Sequence, residues 1–474
     1  MKPILVAREG VRFEKLTPDG CERIHQASLR LLETVGVEVH HERARALLSD
    51  AGARVEDTRV KVPADLVGWA LGVAPRGFTL HDREGEPVLP AEHPNVFFGV
   101  GSETPLVLDH RTNERRQGTL ADVAEGARVV DALPNIDFLM SLFLPWELDP
   151  AVAYREQFRA LLEHSVKPVF FLSPRTGDIE AMVAMLEVIA GGEAALRERP
   201  RGLCYINVTH PFRHEHDDVE KLLFVAAKGV PFAYNPAVLR GASGPITQAG
   251  SMVAGNVGEL FGLVLSQLVR EGCPSTLSGG TADKLDMRTM IDVYSAPENR
   301  SSWAQIARYY GLPHFGLGGA SDSKLVDEQS VAEASLSLLA EAMAGSTLIH
   351  DVGYMESGMS NSLAQIVILD EVIGWIRRLM EPLVVDDETL ALDLIEATAP
   401  YGDYLQVDHT LEHFADDWYP ALFDQRGYDR WKATGATTLA ERARARVDEL
   451  LASHTVPALD PARAAALAAL VKEP

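Results

Sequence analysis

The sequence is poor in cysteine and in positive charge, and each shortage excludes a class of protein. Its three cysteines, Cys21, Cys204 and Cys273, lie far apart and form no CxxC pair, which argues against a disulfide framework or a structural zinc site. The 44 Lys and Arg residues are outnumbered by 68 Asp and Glu residues, a formal net charge of −24. This charge argues against nucleic acid or an anionic membrane as a partner and favours the approach of a small cation.

Long apolar runs are missing as well. The opening MKPILVAREG contains no apolar segment long enough for a signal peptide. No stretch reaches the 18 uncharged apolar residues of a membrane span. Together with the unpaired cysteines, these features predict a cytoplasmic protein that makes no membrane contact.

What the sequence does contain is an alternation of short β-branched or aromatic runs with helical patterns, from about residue 96 onward. A helical pattern such as DEQSVAEASLSLLAEAMAG is predicted to end at Gly345 as its C-cap. Seven runs are typical of buried strands: IDFLMSLFLPW (136–146), KPVFFLSP (167–174), GLCYINVTHP (202–211), VPFAYNPAVL (230–239), CPSTLSGG (273–280), LPHFGLGG (312–319) and STLIHDVGY (346–354).

These seven units, with an eighth from NVFFGVG (95–101), predict an α/β fold of the TIM (β/α)8 barrel type. A doubly wound open sheet is the alternative, although no GxGxxG opens a helix after the first strand. We expect the barrel to occupy residues 91–385. An N-terminal helical and β extension (1–90) and a C-terminal helical extension (386–474) are expected to pack against it.

In such barrels function gathers at the C-terminal ends of the strands. Those ends are short of acid–base pairs and rich in aromatics, amides and glycines, which favours a cavity that holds a ligand. One chemistry with little need of proton transfer is displacement of a methyl group from a quaternary ammonium, which an aromatic cage binds. For each single aromatic, ordinary core packing is the alternative. Candidates for the cage are Phe98, Trp146, Tyr205, Phe212, Tyr234, Trp303, Phe315 and Tyr354.

Three sharper motifs carry less weight. His214 and His216 in RHEHDD are two residues apart, which splays them on a helix and favours a solvated helix start over a metal site. Cys204 has no second Cys or His near it in sequence and is expected to be a buried strand thiol. Lys324, after a Gly-rich turn, could hold a phosphate or serve in a salt bridge.

Five segments resemble the trimethylamine methyltransferase superfamily over roughly residues 80 to 440. The resemblance implies a TIM barrel that moves a methyl group to cobalt(I) of a corrinoid (cob(I)alamin to methylcobalamin) carried by a partner protein. It also implies a homo-oligomer without an intrinsic metal. The segments are YNPAVLRGASGPITQAG, LDMRTM with SAPE, RYYGLPHFGLGGASDSKLVDEQ, HDVGYMESGMSNSL and HTLEHFADDWYPALFDQRGYDRW.

The archaeal trimethylamine enzymes of this superfamily carry pyrrolysine where this chain has Gly319 and Ala320. The relatives without pyrrolysine act on glycine betaine, proline betaine or carnitine-type compounds, and the small residues would then make room for such a substrate. The resemblance implies that His350 binds the substrate carboxylate, and Asn207 ends a neighbouring strand at the same mouth. Gly319 could instead serve a positive φ angle at the turn.

Other functions stay open at this point. The barrel could bind a betaine without catalysis, or it could be a methyltransferase for trimethylamine or another methylamine. It could also be an aldolase-like or phosphate-binding barrel that uses Lys324 or Lys284. A cationic ligand in an acidic, aromatic pocket would argue against the lysine-based alternative.

Overall fold

The structure is a computed structural model that describes residues 4–5, 13–278 and 283–472. Within these residues, strands and helices alternate as the sequence pattern predicts. The parallel strands are β1 (Asn95–Val100), β2 (Val169–Phe171), β3 (Gly202–Val208), β4 (Phe232–Pro236), β5 (Ser275–Leu277), β6 (Phe315–Leu317) and β7 (Leu348–Val352). The helices beside them are α1 (Leu120–Ala132), α2 (Ala153–His164), α3 (Thr176–Ala190), α4 (His216–Lys228), α5 (Gln248–Val269), α6 (Ser302–Tyr310), α7 (Glu328–Ala344) and α8 (Leu363–Met380).

Two parallel sheets carry these strands. One has the order β2-β3-β4-β5, and the other contains β1-β7-β6, with Ile4–Leu5 added antiparallel to β1. Further parallel bridges pair Gly99 with Phe138, Leu139 with Val169, and Leu277 with His314. The fold is therefore mixed α/β, with parallel strands that are connected through helices.

The predicted strand at 136–146 was wrong as a regular strand. The segment makes only isolated bridges to its neighbours. Leu142 has a positive φ angle of 61° in the middle of it, and a left-handed residue interrupts an extended backbone. The predicted C-cap of α7 is confirmed, because Gly345 ends that helix with φ of 79°.

The described residues before β1 form three helices and several short antiparallel strands. The helix Pro18–Thr34 begins at Thr17, whose side chain accepts a hydrogen bond from the Gly20 N–H, and it buries Ile24 and Leu32. These elements are Pro18–Thr34, Val37–Val39, Glu42–Asp50, Arg54–Glu56, Arg59–Lys61, Ala64–Val73, Gly77–His81 and Pro87–Glu92.

Within the C-terminal part, residues 386–474, burial differs from one helix to the next. The helices Asp387–Leu390, Leu392–Thr398, Asp408–His413 and Tyr428–Ala433 contain no buried residue. Only the last two helices bury apolar side chains: Val447 and Leu450 on Leu439–Ser453, and Leu467 and Val471 on Pro461–Val471.

Helix α5 is the element closest to a membrane span in length and composition. It has 22 residues, and 83% of its most apolar 18-residue window is buried inside the protein. Its Asn256 donates hydrogen bonds to the Ser28 and Tyr310 hydroxyls, both from neighbouring helices. Such burial and polar pairing are those of a core helix.

Short strands lie in the loops that follow the carboxyl ends of the parallel strands. One small sheet joins the loop after β4 to the loop after β5, and another joins the loop after β1 to the loop after β7. They are Leu239–Arg240, Asp283–Asp286 and Ile291–Val293, and then Leu106–Leu108, Arg115–Gln117, Tyr354–Met355 and Ser360–Asn361. The loops thus build a rim around those strand ends.

Candidate functional site

Three aromatic rings, carried by β3, β6 and β7, lie close together. The Phe315 ring stacks on the His350 imidazole, with centroids 4.0 Å apart and planes 13° apart. The Tyr205 ring lies 5.2 Å from Phe315 and 5.9 Å from His350. We call Tyr205, Phe315 and His350 the ring cluster. It offers π faces of the kind that attract an alkylated ammonium.

The imidazole of His350 is held from one side by a carboxylate. Its Nδ1 lies 2.7 Å from Oδ1 of Asp351, and the Tyr294 hydroxyl donates to Oδ2 of Asp351 at 3.0 Å. Asp351 adopts φ of 77°, a strained conformation for a residue other than glycine. Because the carboxylate occupies Nδ1, a ligand would meet Nε2 of His350.

Two amides extend the ring cluster to the surface. Asn235 Nδ2 donates to the Tyr205 hydroxyl at 2.7 Å and to Asn207 Oδ1 at 3.2 Å. Asn207 and Asn235 are paired in register on β3 and β4. Asn207 is exposed and Tyr205 is half-buried, so this network reaches solvent. Burial and the charge of Asp351 raise the pKa of Tyr205, which keeps its hydroxyl protonated.

A narrow polar cavity continues inward from the rings of Phe315 and His350. Its free space is about 20 Å³, enough for one water-sized group. Several buried polar atoms around it have no hydrogen-bond partner among the described residues, an uncommon situation in a protein interior. These atoms are Ser278 Oγ, Asn299 Nδ2, Trp303 Nε1, His314 Nε2 and Glu341 Oε2.

The polar cavity is lined both by hydrogen-bond donors and by a buried carboxyl group. Burial lowers the pKa of His314 to about 3, which keeps this imidazole neutral. Burial also raises the pKa of Glu341, against the lowering effects of the Ser301 N–H and the Arg300 charge. The Arg300 guanidinium and the Trp303 indole N–H then supply positive charge and a donor to the same space.

Two more predicted residues lie next to the ring cluster. Tyr354 is buried and packs with Ala320 and Leu317, and its ring lies 6.0 Å from that of Tyr294. The Tyr354 hydroxyl bonds to the backbone of Ser102 in the loop after β1. Tyr294 also binds Asp351, so this second group supports the ring cluster from behind the carboxylate.

Other predicted aromatics lie elsewhere. The Tyr234 hydroxyl bonds to His214 Nδ1 at 2.8 Å, and its ring lies so close to α5 that a Cβ added at Gly262 would be 2.4 Å from it. Phe98 packs under the Arg377 guanidinium, which lies 5.9 Å from its centroid. Successive strand residues face opposite sides, so Tyr234 and Phe98 face the helices, away from the ring cluster.

Trp146 and Phe212 are also separate from the ring cluster. Trp146 is 51% exposed, and its indole N–H donates to the Pro105 carbonyl at 2.6 Å in the loop after β1. Phe212 is partly buried, with its ring 6.4 Å from that of His210. Of the proposed cage aromatics, Tyr205 and Phe315 form the ring cluster, Tyr354 adjoins it, and Trp303 lines the polar cavity.

The expectation that Gly319 leaves room for a substrate was wrong. Its φ is 85°, and an added Cβ would lie 3.0 Å from the Val352 Cα and 3.3 Å from the Leu338 side chain. The Gly319 N–H donates to Ser337 Oγ at 3.0 Å. Glycine is therefore required here by the backbone conformation and by close packing. Ala320, the next residue, is the one that borders Tyr354.

The structure also shows the surroundings of the other residues that the sequence analysis singled out. His214 is buried, while His216 begins α4 and is exposed. The described residues contain no group of three or more ligands suited to a metal ion. Burial raises the pKa of Cys204 to about 12. Lys324 Nζ donates to the Asp322 carbonyl at 2.8 Å. Gly280, the last residue of the CPSTLSGG run (273–280), lies outside the described residues.

Sequence reasoning missed two residues of this region, Glu103 and Tyr294. Glu103 follows β1 directly, so the strand-end rule could have found it. Tyr294 lies after the short strand Ile291–Val293 in a loop. No spacing in the sequence relates it to Asp351, 57 residues away.

Comparison with known proteins shows the family of this chain. The family model described as trimethylamine methyltransferase (MTTB) matches residues 3–473. Trimethylamine methyltransferase MttB of Desulfitobacterium hafniense (strain DSM 10664 / DCB-2) is 31% identical, over 99% of this chain and 95% of that protein. Glycine betaine methyltransferase of D. hafniense strain Y51 is 29% identical, over 98% and 97%.

Among solved structures, the monomethylamine methyltransferase of Methanosarcina barkeri aligns over 94% of this chain and 90% of that one. The identity is 11% and the TM-score is 0.48. The family match extends over almost the whole chain. Both relatives named above are methyltransferases, and each aligns with this chain over nearly its full length. The chain therefore belongs to the trimethylamine methyltransferase (MTTB) family and is a methyltransferase.

Proposed function

We propose that this chain transfers a methyl group from a betaine-type quaternary amine to cobalt(I) of a corrinoid carried by a separate protein. The observation that carries the proposal is the ring cluster beside a polar cavity with unpartnered donors. Tyr205, Phe315 and His350 offer π faces for the cation. The cavity behind them admits an oxygen atom and excludes a trimethylammonium group.

A zwitterion would therefore bind in one orientation. Its carboxylate points toward the polar cavity, where His350, Trp303 and Arg300 supply donors and positive charge. Its ammonium remains on the outer side, toward exposed Asn207. The residues hold the substrate, exclude water from the carboxylate and present an N-methyl group to the opening.

The transfer needs no proton. The electrons of the broken C–N bond stay on nitrogen, so the tertiary amine leaves neutral. The corrinoid supplies the cobalt(I) nucleophile, which contributes both electrons of the new bond to carbon.

Apolar side chains on the rim loops would contact the partner protein, and such patches are typical of interaction sites. They are Ile246, Met287, Met290, Ile291 and Met359, each at least 45% exposed.

The finer architecture belongs to the same proposal. We infer that the parallel segments close into a (β/α)8 barrel within residues 91–385, flanked by 1–90 and 386–474. The bridges Gly99–Phe138, Leu139–Val169 and Leu277–His314 support this closure, because they connect the edges of the two sheets. Three buried free thiols support a reducing, cytoplasmic compartment. The exposed apolar side chains between residues 383 and 428 support a homo-oligomer.

The decisive experiment is methyl transfer to free cob(I)alamin by purified protein, followed by the visible spectrum of the cobalamin. We expect methylcobalamin with glycine betaine or a related betaine. The relatives named above include both a trimethylamine and a glycine betaine enzyme, so trimethylamine belongs in the same panel. If methylcobalamin forms with trimethylamine and with no betaine, the betaine assignment is wrong. If the protein binds a betaine but transfers no methyl group even when its corrinoid partner is present, it is a binding protein.

The lysine-based alternative receives less support from the geometry. Lys324 bonds to a carbonyl of its own turn, and Lys284 is 43% exposed, with Glu298 3.9 Å away. Neither residue lines the polar cavity. An aldolase-like lysine needs its amine inside the cavity, desolvated by burial.

A further inference from the structure

One carboxylate near the ring cluster is held in an unusual way. Glu103, in the loop after β1, has φ of 58°, which is uncommon for a residue other than glycine and costs free energy. Its N–H donates to Ser141 Oγ at 3.0 Å, and the preceding Ser102 bonds to the Tyr354 hydroxyl. These contacts hold the backbone of the loop in the strained conformation, with Ser102 against Tyr354.

The side chain of Glu103 is only partly satisfied there. Its Oε1 is buried and has no hydrogen-bond partner among the described residues. The nearby Asp351 differs, because both of its oxygens are engaged, one by His350 and one by Tyr294. Burying a carboxylate with one unpaired oxygen costs free energy. A ligand that interacts with this oxygen would offset the cost.

The chemistry of a quaternary ammonium matches this oxygen. A fully methylated nitrogen has no N–H, so it cannot compete for a hydrogen-bonding acceptor and interacts with a carboxylate through charge alone. Such charge attraction is strong at a site shielded from water. Ser102, the residue before Glu103, bonds through its backbone to the Tyr354 hydroxyl, and Tyr354 adjoins the ring cluster. Besides burial, the negative charge of Glu103 also raises the pKa of Tyr205 and of Tyr354, while His350 and Phe315 border the polar cavity.

We propose that Glu103 is the counter-charge of the substrate's quaternary ammonium, an inference that rests on the proposed function. Glu103 and Tyr205 then hold the cationic end of the substrate. The polar cavity with Arg300 and Trp303 holds the anionic end. The two charged ends of a zwitterion are thus matched by opposite charges in one site, with the ring cluster between them.

The ionisation of Glu103 makes this role testable. Burial raises its pKa to about 7, while the hydrogen bond from Tyr154 and the charge of Lys221 lower it. Lys221 is itself paired with Asp218, their charged atoms 3.0 Å apart. The titratable and charged groups that face Glu103 are Tyr154 on α2, Tyr205 on β3, Lys221 on α4, and Tyr354 with Asp351 from the β7 end.

A bound cation favours ionised Glu103, so binding releases a proton wherever the free carboxyl is protonated. The affinity for a quaternary amine is then constant well above pH 7 and falls about tenfold for each pH unit below it. A neutral ligand of the same shape has no such dependence. Between pH 8 and pH 6 we expect the cation's Kd to rise about tenfold.

The test is isothermal titration of the protein without corrinoid, at pH 6 and pH 8. The probes are glycine betaine, tetramethylammonium, and 3,3-dimethylbutyrate, the uncharged-head isostere of glycine betaine. Wild-type protein is expected to prefer glycine betaine over the isostere by at least tenfold at pH 8, and Glu103→Gln to lose most of that preference and the pH dependence. Asp370→Asn is the matched control, because Asp370 is a second buried carboxyl, with its pKa raised to about 6, bonded to Asn135 away from the ring cluster.

The outcomes separate the two proposals. If wild-type protein binds neither quaternary amine, the proposed function is wrong. If it binds them and Glu103→Gln keeps both the preference for glycine betaine and the pH profile, the role of Glu103 is wrong. Loss of the pH profile in Asp370→Asn with its retention in Glu103→Gln would also overturn it. A melting temperature for each variant distinguishes loss of binding from loss of folding.

Discussion

The two sides of the same parallel strands carry similar side chains and differ in what they can do. On the inner side, Tyr205 accepts a hydrogen bond from Asn235, and the pair leads to exposed Asn207. On the helix-facing side, the Tyr234 hydroxyl bonds to His214, both fully or almost fully buried. An aromatic ring beside a polar group at a strand end is therefore no mark of a site by itself. Whether such a ring can contact a ligand depends on the side of the strand on which it lies.

The difference also appears in the ionisable groups. His214 stacks on Phe261 with centroids 4.1 Å apart, and burial lowers its pKa to about 3. His350 stacks on Phe315 at a similar distance, but its Nδ1 is held by a carboxylate. Both imidazoles thus have Nδ1 engaged, but His214 is fully buried, whereas His350 borders the polar cavity, where a ligand could reach Nε2.

The largest effect is expected at the turn after β6. Gly319→Leu should lower the free energy of unfolding by about 3 kcal/mol or more, because φ of 85° and an added Cβ 3.0 Å from the Val352 Cα both oppose a side chain. Denaturant unfolding measures this loss. A variant with wild-type stability and lost betaine binding would instead make Gly319 part of the substrate site. Gly427, where an added Cβ meets nothing within 4 Å, gives the control Gly427→Ala.

The next effect tests the inner side. His350→Ala should weaken binding of a betaine by about ten- to a hundredfold, since a hydrogen bond to a charged group contributes roughly 1.5–3 kcal/mol. Tetramethylammonium, which has no carboxylate, should lose much less. The helix-facing His214→Ala serves as control for removal of a buried imidazole. Equal losses for both ligands would assign His350 a structural role.

Acid stability tests the helix-facing side. The pKa of His214 is lowered to about 3 in the folded protein, whereas the unfolded imidazole titrates near 6.5. As the pH falls below 6.5, His214 binds a proton in the unfolded state but not in the folded state. The free energy of unfolding therefore falls by about 1.4 kcal/mol per pH unit for this residue.

Above pH 6.5 this contribution of His214 is constant. His214→Gln should reduce the slope of stability against pH between 6.5 and 5 by about one proton, and His216→Gln on the exposed start of α4 is the control for replacement of an imidazole on the same helix. An unaltered slope in His214→Gln would mean that the imidazole is protonated in the folded state.

The smallest effect compares the two tyrosines directly. Tyr234→Phe should cost about 1 kcal/mol of stability through loss of its bond to His214, with betaine affinity unchanged. Tyr205→Phe should weaken betaine binding a few-fold, because it releases Asn235 from its position. If Tyr234→Phe changed affinity and Tyr205→Phe did not, the assignment of the inner side would be reversed.

How far the sequence leads can be judged from particular elements. Strand runs such as FFLSP and the Gly345 cap follow from local rules, since β-branched and aromatic residues favour strands and a left-handed C-cap favours glycine. The 136–146 run has the same composition, yet Leu142 interrupts it. The helices between 387 and 433 have helical sequences and no buried face in this chain, and no periodicity reveals what a helix packs against.

By itself, the sequence determined the class of fold, the strand ends at which chemistry can occur, the candidate residues His350 and Phe315, and the family to which the resemblance points. Those features depend on composition and order along the chain. Only the tertiary structure decided that Tyr234 faces α5, that Gly319 is held by its backbone angle, and that the loop of Glu103 bonds to Tyr354 through Ser102. These features depend on strand register, because a shift of one residue moves every side chain of a strand to the opposite face of the sheet.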